Sequence, residues 1–259
     1  MTENHSSLWS VNEEFIKHSQ LKKFCESLEK KGVFKNTFRF KDLWEWSVKN
    51  PERFWSEVWD FTKIKGIKKG KIIKKNKVFY KNVFFPDSKI NYAENLLRKK
   101  NQETAINFLS ESLIEKKITW EKLYENVCKF SHYLKKINLK EKDRVAAYVP
   151  NSIETIVSFL ATSKNGLIWS SCSPDFGADG VIDRFSQIKP KILITCEYYF
   201  YNGKKIDILE KIPKILKKIK SIKRVIVFPY TNKFEKKINS KYLDFYSVIK
   251  KSKTDETFK

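Results

Sequence analysis

Four short apolar segments rich in Val and Ile, at 144–149, 167–171, 191–196 and 224–228, alternate with helix-length amphipathic ones. This alternation constrains the fold more than any other feature. The strands are apolar on both faces, as in a parallel sheet covered by helices on both sides. The segments between them, 152–164, 178–188 and 205–220, read as helices. Asn151 or Ser152 caps the first and Gly166 stops it. A β-α-β-α-β-α-β order predicts an α/β fold: an open, doubly wound, mostly parallel sheet with helices on both faces.

Upstream, 104–109 and 115–118 alternate like strands. Thr119 can cap a helix whose apolar positions are Leu123, Val127, Phe130, Leu134 and Ile137. The first hundred residues read differently. Residues 12–31 predict a helix stopped by Gly32, and 41–49 a second. Asn50-Pro51 then supplies a cap and a first-turn proline for a helix over 51–61. That helix carries Phe54, Val58 and Phe61 on one face and Trp55 and Trp59 on another. Residues 63–77 read as an exposed basic connection, 78–80 and 83–85 as extended pieces, and 92–100 as a helix. The tail, 232–259, is polar with a short helix near 242–250. The expected organisation is a helical region over 1–100 and an α/β domain over 101–259.

A formal net charge of +23 raises nucleic acid or an anionic membrane as a partner. Only six of the 53 basic residues are Arg, however, and the lysines are scattered. Phosphate and base-edge recognition recruits the planar guanidinium. The charge therefore reads as a solvated surface, and neither nucleic acid nor membrane is expected as a partner. Cys25, Cys128, Cys172 and Cys196 form no CxxC pair and no metal spacing with His5, His18 or His132. Free thiols point to a reducing, cytoplasmic compartment. The start, MTENHSSLWS, has no apolar signal region, and the apolar stretch 156–169 is interrupted at Ser163-Lys164-Asn165.

No dinucleotide fingerprint, P-loop or G-x-S-x-G elbow occurs; Gly66 and Gly70 with Lys71 have the wrong spacing for a P-loop. In doubly wound sheets, ligands bind beyond the carboxyl ends of strands. Two segments lie there: 171–177, and 197–204 ending in Asn202-Gly203-Lys204. An Asn-Gly turn lets backbone amides approach an anion, and the adjacent Lys adds a point charge.

Several stretches resemble acetoacetyl-CoA synthetases, within the adenylate-forming acyl-CoA synthetases. They are Trp44-Glu45-Trp46-Ser47-Val48 with Asn50-Pro51-Glu52-Arg53-Phe54-Trp55, and Phe85-Pro86 with Ile90-Asn91-Tyr92-Ala93-Glu94-Asn95-Leu96-Leu97. They continue with Asp143-Arg144-Val145-Ala146-Ala147-Tyr148-Val149-Pro150-Asn151 and the run from Ile168 through Gly177 to Asp183-Arg184-Phe185. Tyr201-Asn202-Gly203-Lys204 ends the match.

The resemblance implies part of the large N-terminal domain of an adenylate-forming enzyme. It implies that acetoacetate, ATP and CoA are the complete enzyme's substrates, with Mg²⁺ as a cofactor. It further implies that Ser173, Pro174 and Asp175 line the pantetheine path and that Tyr201, Asn202, Gly203 and Lys204 meet CoA phosphates. Related acetyl-CoA synthetases carry an arginine where this chain has Tyr201 and another where it has Lys204. The Ser/Thr/Gly-rich phosphate loop ending in Pro-Lys, the Mg²⁺- and ribose-holding acids, the hinge and the late catalytic lysine are absent from the 259 residues. No catalytic or metal residue is therefore expected here, and the chain alone is expected to be inactive. Two alternatives stand beside this: a non-catalytic module pairing with a second chain that carries the missing half, and a fragment of an acetyl- or propionyl-CoA synthetase.

Overall fold

The structure, a computed structural model, describes residues 9–35, 39–111 and 114–259. It divides into two compact units, Met1–Ile90 and Asn91–Lys259.

In the first unit, helices α1 (Glu13–His18) and α2 (Gln20–Lys30) replace the single helix expected over 12–31. Ser19 breaks it: its backbone is extended (φ −65°, ψ 146°) and its hydroxyl accepts from the Lys22 amide at 3.1 Å. Serine offers the chain this local alternative to helix. Gly32 ends α2 as expected, at φ +63°, with Val33 N bonded to Leu28 O at 2.9 Å. Helices α3 (Phe40–Lys49) and α4 (Pro51–Phe61) follow. Pro51 takes the first-turn position, but Asn50 makes no side-chain cap. Its amide donates backward to Trp46 O instead. Phe54, Val58 and Phe61 pack on the buried Phe24, Leu28 and Leu43. The other face of α4 sets Trp55 against Phe84 and Trp59 against Phe85, with ring centroids 5.5 and 4.8 Å apart. The basic stretch is less bare than expected: β1 (Gly66–Ile67) pairs with β4 (Lys89–Ile90), and β2 (Ile73–Lys74) with β3 (Val83–Phe84). Residues 79–81 form a 3-10 turn rather than an extended piece.

The second unit opens with the short helix α5 (Tyr92–Leu96) and the antiparallel hairpin of β5 (Thr104–Leu109) and β6 (Glu115–Thr119). Thr119 Oγ1 caps α6 (Trp120–Lys136) by accepting from Lys122 N at 3.2 Å. Leu123, Val127, Phe130 and Leu134 are buried on one face of α6. Then come β7 (Arg144–Tyr148), α7 (Ile153–Lys164), β8 (Ile168–Cys172), α8 (Ala178–Ile188) and β9 (Ile192–Cys196). They are followed by β10 (Tyr198–Tyr201), β11 (Lys204–Asp207), α9 (Ile212–Lys218), β12 (Arg224–Phe228), β13 (Leu243–Asp244) and α10 (Phe245–Lys250).

Five strands form one parallel sheet in the order β13-β12-β9-β7-β8. Every residue of β9 is buried, which is why its sequence shows no apolar/polar alternation; its one polar side chain, Thr195, is buried with the rest. The crossover through α7 runs outward from β7 to β8, and that through α8 runs back past β7 to β9. Right-handed crossovers in opposite directions put helices on opposite faces. Packing agrees: α6 lies on α7 and α10, while α8 lies on α9. The fold is thus doubly wound α/β.

The helix expected over 205–220 is shorter. Asn202 (φ 50°) and Gly203 (φ 70°) form a two-residue turn of the kind that matches strand twist, so 204–207 becomes β11 and pairs back on β10. The helix starts only at Ile212.

Candidate functional site

The chain leaves β7 in one direction, returns, and continues on the other side. This reversal puts a topological switch point at the carboxyl ends of β7 and β9, the place where doubly wound sheets take ligands. Three groups meet there: Tyr148 at the end of β7, the 173–177 loop after β8, and the β10–β11 hairpin after β9.

Tyr148 is fully buried. Its hydroxyl lies 2.9 Å from Pro174 O and 2.5 Å from Phe176 O, and receives Lys211 Nζ at 3.2 Å. Burial pushes this phenol up to about 12, with the nearby Cys196, Cys172 and Asp175 adding to the effect. It is therefore a neutral donor whose one hydrogen is shared between two carbonyls of the loop. Thr195 Oγ1 in turn donates to Tyr148 O at 3.0 Å.

The loop is further organised by Asp175. Ser173 Oγ donates to its Oδ2 at 2.7 Å, and Tyr199 Oη to its Oδ1 at 2.9 Å. Burial, the larger cause, raises the Tyr199 phenol, and the Asp175 carboxylate adds a further, smaller rise. Pro174 is buried between exposed Ser173 and Asp175. Arg184 lies over the Phe176 ring, 4.3 Å from its centroid.

In the hairpin, Tyr201 and Lys204 face each other across the turn, and 201–204 are all exposed. Lys204 makes no ion pair with a described residue. The amides of Asn202 and Gly203 bond the Glu111 carboxylate at 3.1 and 2.9 Å. Below the hairpin, Glu197 is buried. Its carboxyl is pushed up by burial, Oε2 accepts from Glu235 N at 3.2 Å, and Oε1 has no partner.

Of the residues singled out from sequence, Ser173, Pro174 and Asp175 join the hairpin through Tyr199. Tyr201, Asn202, Gly203 and Lys204 sit at its exposed tip. Sequence reasoning placed Tyr199 within the 197–204 segment without singling it out, and missed Tyr148, Lys211 and Glu111. Tyr148 carried a signal, near the end of a strand at the switch point. These groups can bind and orient a polar, anionic ligand. Among the described residues no three His, Cys, Asp or Glu side chains converge to hold a metal ion.

The AMP-binding enzyme family model matches residues 93–254, more than half of the chain. The chain is 37% identical over 224 residues to an acetoacetyl-coenzyme A synthetase of Rhizobium meliloti, covering 86% of this chain and 34% of that protein. It is 40% identical over 214 residues to an acetoacetyl-CoA synthetase of Rattus norvegicus, covering 79% and 32%. A malonamoyl-CoA synthetase of Penicillium aethiopicum is 31% identical over 220 residues, covering 82% and 30%. The solved acetoacetyl-CoA synthetase of Streptomyces lividans superimposes with a TM-score of 0.88 at 24% identity, covering 98% of this chain and 39% of that one. The chain thus spans about a third of the length of the curated relatives it matches. It belongs to the AMP-binding enzyme family.

Proposed function

We propose that this chain supplies the CoA-facing part of an AMP-forming acid–CoA ligase acting on acetoacetate. In that reaction acetoacetate attacks the α-phosphate of ATP, giving acetoacetyl-adenylate and pyrophosphate. The CoA thiol then displaces AMP to give acetoacetyl-CoA. The observation that carries the reading is the Tyr199–Asp175 bond, which ties together the two segments expected to meet CoA. Ser173, Pro174 and Asp175 line the pantetheine path. Tyr201, Asn202, Gly203 and Lys204 face the phosphates. Mg²⁺ would act with ATP on groups outside these 259 residues. Four cysteines without disulfides support a reducing, cytoplasmic setting. No described helix is long and apolar enough to cross a membrane.

A second reading is favoured by one feature: β8 pairs only with β7, leaving its other edge open among the described residues. Open edges accept a further strand. The remaining half of the site would then come from a second chain docking there.

Calorimetry with CoA and ATP–pyrophosphate exchange with acetoacetate test the proposal on the purified chain. CoA binding without exchange is expected, because the sequence holds no phosphate loop. Acetoacetate-dependent exchange, or no CoA binding at millimolar concentration, contradicts it.

A further inference from the structure

Glu111 lies in the turn between β5 and β6, 91 residues before the hairpin it touches. Its Oε1 accepts from Asn202 N at 3.1 Å and its Oε2 from Gly203 N at 2.9 Å. The hairpin register closes on Tyr201 and Lys204, so the two turn amides have no partner within the hairpin itself. With φ of 50° and 70°, both aim at one point. Successive amides converging in this way form a concavity for an oxyanion. Lys204 stands beside them, exposed and without an ion pair to a described residue. A carboxylate of the chain itself thus occupies a place suited to an external anion. Glu111 is also exposed, so a ligand can reach and displace it.

We infer that the amides of Asn202 and Gly203, with the Lys204 ammonium, form a phosphate-monoester site, and that Glu111 is its internal occupant. Glu111 then sets the affinity for phosphate monoesters and free phosphate, because each must first exchange with it. The inference rests on reading the hairpin as the CoA-facing element, and names the residue that competes there.

The test compares the 259-residue chain with its Glu111→Ala and Glu111→Gln variants, after thermal melts establish that all three fold. CoA, dephospho-CoA and inorganic phosphate are the probes. Affinities come from calorimetry, and the amide resonances of Asn202 and Gly203 from NMR. Removing the carboxylate is expected to tighten CoA by about tenfold, the scale of one charge-assisted hydrogen bond. Dephospho-CoA is expected to be unchanged, and phosphate to shift both amides at lower concentration in the variants. CoA affinity equal in all three chains overturns the inference and leaves the CoA reading standing. If CoA binds none of them while phosphate moves the two amides only in the variants, the CoA reading falls and the Glu111 site stands. If phosphate moves neither amide in any chain, the site is refuted.

Discussion

Tyr199 donates a 2.9 Å hydrogen bond to Asp175, and that bond joins the loop after β8 to the hairpin after β9. Tyr199 is buried while Asp175 is exposed, so the buried phenol anchors the surface carboxylate. Tyr199→Phe is expected to lower stability by about 1 kcal/mol, the net worth of one hydrogen bond. It is expected to weaken CoA binding by about threefold to tenfold, as Asp175 keeps only its Ser173 contact. Urea unfolding and calorimetry on one preparation check both.

Tyr148 holds Pro174 O and Phe176 O from below. Tyr148→Phe leaves both carbonyls without the phenol, and a loss of about 2 kcal/mol is expected in urea unfolding. The pH dependence has a definite sign. Burial raises the folded phenol to about 12, above its ordinary value of about 10. Its contribution is complete below pH ~10 and is lost as pH rises toward 12, because the unfolded state then binds fewer protons. The alkaline loss of stability is expected to be shallower in Tyr148→Phe.

Lys164 is fully buried in α7, its ammonium bonded to Thr257 O and 4.5 Å from the centre of the Phe258 ring. Burial lowers its pKa, against the opposing pull of Cys128 and Asp255. Between the lowered value and the ordinary value near 10.4, the unfolded chain binds more protons than the folded one, so stability rises with pH. Lys164→Met is expected to flatten that rise. A denaturant midpoint series from pH 7 to 10 reads it directly, and an unchanged slope would contradict the assignment.

The sheet was legible because burial on both faces leaves a plain mark: 192–196 is apolar except for Thr195, and Ser152, Thr119 and Gly32 punctuate the helices where their chemistry requires. Two-residue elements such as Leu243–Asp244 leave no such mark, since their pairing is decided by β12 alongside. At Ser19 a hydroxyl outweighed apolar spacing that ran straight through it. The strand over 204–207 was hidden by apolar positions that fit a helix equally well, and the Asn-Gly turn decided the matter. The loops of the site could be placed from strand ends. Their linkage could not: Tyr199 meets Asp175 across 24 residues and Glu111 meets Gly203 across 92, distances at which local pattern carries no information.

In the proposed function CoA lies on the 173–175 loop and the 201–204 hairpin tip. Hydrogen–deuterium exchange of the chain with and without saturating CoA tests it most directly. Slowed exchange is predicted in peptides covering 173–177 and 198–204, with the rest of 91–259 unchanged. Unchanged exchange in both segments at a CoA concentration shown to saturate the chain, or protection confined to another surface, would contradict the account.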